Sequence, residues 1–244
     1  MIHDGINETE DKIDSILMIG QSNMAGRGDF EQVAPISNPS CLMLRMGRWQ
    51  YMSEPINPDR AIFKIRFHSG ISLAASFADA YAKQYKKRVG LIPCADGGTT
   101  IEEWQPDGIL FEHAVCMAKL AMKTSRLAGI IWHQGESDCT SDTLYHEYPE
   151  KFHRFFSALL SELSIANIPI VIGELPQKVG DSWKLDGRNL AFNQRLPSLA
   201  AHYPRMAIAS SEGLSMKPDG IHFDSGACRE FGRRYFAAFH SVNH

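Results

Sequence analysis

No apolar run in this chain reaches the ~18 consecutive residues that a helical membrane span requires. A membrane partner of that kind is not expected. Charge of one sign is not in excess either. The chain has 25 Lys and Arg against 28 Asp and Glu, a formal net charge of −3, with no basic block or acidic tail. That balance provides no electrostatic footprint for nucleic acid or for an anionic membrane surface. Cysteines are few, odd in number and far apart: Cys41, Cys94, Cys116, Cys139 and Cys228. Without a Cys-x-x-Cys among them, reduced and mostly buried thiols are expected rather than a disulfide framework. The N-terminal stretch MIHDGINETEDKID is polar and acidic, with neither the basic start nor the apolar segment of a secretory signal. The expectation is a cytoplasmic protein. The chain has no Gly-Lys-Ser/Thr, no His-Glu-x-x-His and no Gly-x-Ser-x-Gly. Walker-type phosphate binding, zincin chemistry and the α/β-hydrolase elbow are therefore set aside.

What is present is ordinary for a globule and patterned for an α/β fold. Hydrophobic residues make up 44% and charged residues 22% of 244 positions, enough for one sizeable domain. One domain over residues 1–244 is expected, with residues 1–12 as a poorly ordered N-terminal segment. Five apolar runs read as strands covered on both faces: Ile13–Ile19, Arg88–Cys94, Leu127–Trp132, Ile168–Gly173 and Met206–Ser210. Helical stripes lie between and after them. One carries Leu73, Phe77 and Tyr81, another Met117, Leu120 and Ala121. A third carries Phe152, Phe155, Phe156, Leu159, Leu160 and Leu163, with Pro149 expected to open a fresh first turn. Leu190, Leu196 and Leu199 form a weaker stripe. Cys228, Phe231, Tyr235 and Phe239 form the last, capped by Asp224 or Ser225. This alternation predicts a three-layer α/β/α sandwich around a central parallel sheet of about five strands. Residues 29–70 fit least well, and predict a long irregular excursion with a short hairpin near Leu42–Tyr51.

In open α/β sheets, ligands bind beyond the carboxyl ends of the strands. Four segments deliver unusual residues there. They are Gly20-Gln21-Ser22-Asn23-Met24, Ala95-Asp96-Gly97-Gly98-Thr99-Thr100, His133-Gln134-Gly135-Glu136-Ser137-Asp138 and Pro218-Asp219-Gly220-Ile221-His222. Ser22 could simply cap a helix, but Gly26 and Gly28 follow closely and the capping-box position is Ala25. A serine becomes a nucleophile when a base titrating near neutrality takes its proton, and that base needs a partner on its other ring nitrogen. His222 and Asp219, three apart across a glycine turn, have the chemistry for base and acid. Gly97-Gly98 lets backbone N–H groups approach a developing oxyanion, although a plain tight turn would use the same pair. Gln134 could add a side-chain N–H. Glu136 could orient His222, and His133 could pack away from the site. A metal set of His133, Glu136 and Asp138 has no recognised ligand spacing behind it, so no metal and no cofactor are expected. Trp104 could stack on a sugar face or serve as a packing aromatic, and Trp183 is a second rim aromatic.

The blocks GQSNMAGRG, GGTTIEEW, WHQGESD and DGIHFD occur in that order between residues 20 and 224. Together they resemble the SGNH-hydrolase superfamily, and within it the sialate O-acetylesterase-like branch that includes carbohydrate esterase family 6 acetylxylan esterases. The resemblance implies a flavodoxin-like sandwich and metal-free removal of acetyl groups from an acetylated carbohydrate. It implies Ser22 as nucleophile, His222 as base and Asp219 as its acid, with Glu136 as the rival acid. It also implies oxyanion donors at the Ser22 N–H, at Gly98 in preference to Gly97, and at Gln134, where the wider superfamily carries Asn. Gln21 and Asn23 are expected to stabilise the turn around Ser22 and, with Trp104, to contact substrate. The alternatives are a lipase- or thioesterase-like enzyme for longer acyl chains, and a non-catalytic carbohydrate-binding protein on the same scaffold.

Overall fold

The structure, a computed structural model, describes residues 12–58 and 68–243. The expected N-terminal segment, Lys12 apart, lies outside the described residues, as does the middle of the 29–70 excursion. All five expected strands form: β1 (Ile13–Gly20), β4 (Val89–Pro93), β5 (Ser125–His133), β6 (Ile170–Gly173) and β7 (Met206–Ala209). The excursion adds two more, β2 (Cys41–Arg45) and β3 (Arg48–Tyr51), paired antiparallel as a hairpin. β2 then joins β4 in parallel. The result is one seven-stranded sheet in the order β3-β2-β4-β1-β5-β6-β7, parallel except at the β3 edge. The sequence count of about five is short because the hairpin is hydrophobic on only one of its strands. β2 is almost wholly buried, while β3 buries only Trp49.

Alternate β1 residues feed two separate cores. Ile13, Leu17 and Ile19 join one cluster with α3 (Ile109–Met122), α4 (Asp142–Glu162) and α5 (Arg188–Ala200). Ile16 and Met18 join the other, with α1 (Ser22–Ala25), α2 (Leu73–Tyr85) and α6 (Ser225–Val242). A strand covered on both faces has to be apolar at every position, which is why β1 reads as a continuous run. Asp224 caps α6 by accepting a bond from Ala227 N at 2.8 Å.

Pro149 does not open a fresh helix. It lies inside α4, which starts seven residues earlier behind the Ser141 cap. Pro149 has no N–H to offer the Tyr145 carbonyl. Arg195 of α5 supplies the missing donor, its Nη1 lying 2.9 Å from Tyr145 O while the guanidinium sits over the Tyr145 ring. All five cysteines are free, and Cys116 alone of them is exposed. No helix among the described residues is long and apolar enough to cross a membrane.

Candidate active site

β1, β4 and β5 are neighbours in the centre of the sheet, so the segments that follow them share one rim. Ser22 follows β1 and opens α1. That single turn ends at Gly26, whose N–H bonds back to Ser22 O at 2.9 Å. Gly97 comes so close that a Cβ there would lie 3.4 Å from Ser22 Cβ and 2.3 Å from Arg27 Nη2. Gly98 has φ +76°, a conformation that suits glycine and leaves open space on that side. The N–H groups of Ser22 and Gly98 make no hydrogen bond among the described residues.

His222 arrives from the loop between β7 and α6. Its Nε2 is 2.9 Å from Ser22 Oγ, and its Nδ1 is 2.9 Å from Asp219 Oδ2. The other Asp219 oxygen accepts from the backbone N–H groups of Ile221 and His222, at 3.1 and 3.0 Å. Burial pushes the His222 pKa below its ordinary value. The Asp219 carboxylate opposes that shift without cancelling it. Burial works to raise the Asp219 pKa, but the bonds from His222 and the two backbone donors outweigh it and hold the carboxyl below its ordinary value. The combination suits a neutral imidazole beside an ionised carboxylate. Trp183 stands at the rim, its ring edge-on to His222 and its Nε1 donating to Asp219 O at 2.8 Å.

Glu136, the rival acid, does not meet the His222 ring. Its Oε1 accepts from Asn23 Nδ2 at 2.6 Å and faces His133 Nε2 at 3.1 Å. The Tyr235 hydroxyl donates to Trp132 O, so His133 Nδ1 is the donor to Tyr235. Burial works to raise the Glu136 pKa, but His133 and Asn23 outweigh it, and the net shift is downward.

Three further expectations are corrected. Gln134 does not line the cleft. Its Nε2 is taken by Asp138, by Thr99 O at 2.9 Å and by Gln21 Oε1 at 3.2 Å, which leaves no donor for an oxyanion. Asp138, its buried partner, also accepts from Ile101 N, and burial pushes the Asp138 carboxyl up to about 7. Trp104 is fully buried, edge-on to Trp132, with Nε1 on Thr99 Oγ1, so it cannot stack on a ligand. Asn23 is buried too, and touches the chain rather than the cleft. Its Nδ2 donates to Ile221 O and its Oδ1 accepts from Phe223 N, each at 3.1 Å. It thus grips the backbone on both sides of His222. Gln21 does line the cleft. Its Oε1 is held by Gly135 N and Gln134, and Nε2 is the end left free of those bonds.

Sequence reasoning missed Arg27 and Lys217. Arg27 lines the cleft beside Ser22. Lys217 ties the His222 loop to the Ser22 loop through Arg27 O at 2.6 Å and Asp29 Oδ1 at 2.7 Å. A lone base between two glycines, as in Gly26-Arg27-Gly28, was the available signal for the first. Nothing local marks the second. Among the described residues, no group of three or more His, Cys, Asp or Glu is placed to hold a metal ion.

The cleft holds about 210 Å³. The sequence model described as carbohydrate esterase, sialic acid-specific acetylesterase, matches residues 12–241. A probable carbohydrate esterase of Arabidopsis thaliana is 26% identical over 235 residues, 88% of this chain and 86% of that one. The solved structure of an Arabidopsis thaliana protein superposes with a TM-score of 0.82 at 24% identity, over 96% of this chain and all of that one. The crystal structure of NanS gives 0.74 at 15% identity, over 95% and 97%. A carbohydrate acetylesterase from Xanthomonas citri gives 0.63 at 18%, over 94% of this chain and 56% of that one. At these identities the structural likenesses speak for the fold.

Proposed function

Since the chain belongs to the sialic acid-specific acetylesterase family of carbohydrate esterases, we propose that it removes O-acetyl groups from a sugar by serine catalysis. The observation that carries this reading is the continuous relay from Ser22 Oγ to His222 Nε2 and from His222 Nδ1 to Asp219 Oδ2. Ser22 Oγ attacks the acetyl carbonyl carbon while His222 Nε2 takes its proton. Negative charge collects on the carbonyl oxygen, and the Ser22 and Gly98 N–H groups stabilise it. Each such donor is worth ~2.7–4 kcal/mol of barrier. His222 returns the proton to the departing sugar oxygen and leaves an acetyl-Ser22 ester. Water, deprotonated by His222, then releases acetate and restores the serine. Asp219 holds the imidazole in its working tautomer and steadies its transient positive charge.

Cleft size supports a short acyl group. About 210 Å³ is below the ~300–1,000 Å³ of sites for drug-sized ligands. That volume is ill suited to the long-chain substrates of a lipase or thioesterase. Hydrolysis of p-nitrophenyl acetate should fall at least ~10³-fold in Ser22→Ala, and acetate should be released from acetylated sugars by the wild type. Equal rates in the two proteins would end the proposal. Octanoyl esters should be turned over far more slowly than acetyl esters.

A further inference from the structure

The alcohol half of the ester has to reach His222, because Nε2 returns the proton to the departing oxygen. Whatever is attached to that oxygen then lies against the groups around the imidazole. Trp183 is one of them. It lines the cleft, and its ring stands edge-on to His222 with 6.5 Å between centroids. Trp183 is 40% exposed. An indole carries one polar atom, and here Nε1 is spent on Asp219 O at 2.8 Å. The exposed surface of the side chain is therefore chiefly ring carbon. A single exposed aromatic on a protein surface is ordinary, but this one is fixed beside the base. Gly180 N donates to Gly220 O at 2.8 Å, and Trp183 N donates to Gly180 O at 3.0 Å. Backbone and side chain together thus tie the indole to the turn of residues 219–222.

We infer that Trp183 is a specificity-determining residue of this site, its exposed indole surface packing against a flat apolar face of the departing alcohol. The inference rests on the esterase reading and concerns the group that leaves, not the group transferred to Ser22. A cyclic alcohol presents such a face, as a pyranose does with its C–H bonds, and an open-chain alcohol does not. A platform already fixed relative to His222 loses little freedom when a ring settles on it, so the contact favours cyclic leaving groups. The acetyl-Ser22 ester is the same for every acetate. The discrimination therefore lies in the acylation step, which kcat/KM reports.

The test compares kcat/KM on a methyl glycoside acetylated at its primary hydroxyl with kcat/KM on glycerol monoacetate. Both are esters of a primary alcohol with neighbouring hydroxyls, and only the first carries a ring. The wild type should prefer the glycoside by roughly 10-fold, the effect of about 50 Å² of apolar surface taken from water. Trp183→Ala should bring that preference to near one, whatever happens to the absolute rates. Trp183→Phe keeps an aromatic face but loses the N–H to Asp219, and should keep most of the preference. No preference in the wild type overturns the inference, and so does a preference that survives in Trp183→Ala. Equal loss in both variants also overturns it, because the tie to Asp219 and not the ring face is then responsible. If the wild type hydrolyses neither ester, nor p-nitrophenyl acetate, the esterase reading itself has failed. Hydrolysis without a ring preference removes only the role given to Trp183.

Discussion

His222 sets how activity should respond to pH. In the proposed mechanism only the neutral ring can take the Ser22 proton, so kcat/KM should rise as the imidazole deprotonates. Burial holds the folded pKa below the ordinary histidine value, which is ~6.5. The acid limb of kcat/KM for p-nitrophenyl acetate should therefore have its midpoint below ~6.5 and be complete at neutrality. A midpoint above 7 would contradict that assignment. The Asp-x-x-His pair was legible in the sequence because three residues and one glycine turn are enough to close it. Gln134 was not. Its amide partners are Asp138, Thr99 and Gln21, and which of several acceptors wins depends on packing that no local spacing encodes. Trp104 shows the same gap, since an aromatic beside a candidate site reads identically whether it faces the cleft or the core.

At the level of helices and strands, apolar pattern located nearly every piece. Continuous runs gave β1, β4, β5, β6 and β7, because both faces of the sheet are covered and each position carries a burial demand. The stripes at Leu73, Phe152 and Phe231 gave the helices that cover them. Pro149 was misread because the rule that breaks a helix there assumes an orphaned carbonyl, and Arg195 supplies the donor from another helix. That reasoning makes Arg195 a stabilising residue for α4. Replacing it, as in Arg195→Met, should cost about 1–3 kcal/mol, read as a lower urea midpoint with an unchanged slope. The Tm should drop by several degrees. Unchanged stability would mean that solvent serves the Tyr145 carbonyl equally well.

The assembled fold joins two loops separated by 200 positions. Asn23, next to Ser22, holds Ile221 O and Phe223 N on either side of His222. Lys217 and Ser225 add ties to Arg27 O, Asp29 Oδ1 and Asp29 O. Loss of the Asn23 clamp frees the imidazole to drift, and misplacement by about 1 Å can cost ~10²-fold in rate. Asn23→Ala should accordingly lower kcat on p-nitrophenyl acetate by about that factor, with KM little changed. An unaltered kcat would show that Lys217 and Ser225 suffice to hold the loop.

The order of apolar runs and glycine-bounded polar blocks already implied an α/β sandwich with Ser22, Gly98, Glu136 and His222 gathered at one rim. Burial periodicity and strand-end placement are properties of short stretches, and they can be read from neighbours in the chain. Which carboxylate reaches His222 and which amide is spent inside the protein were fixed only when the blocks met. Hydrogen bonds act over about 3 Å, so their pairing is chosen by distances in space.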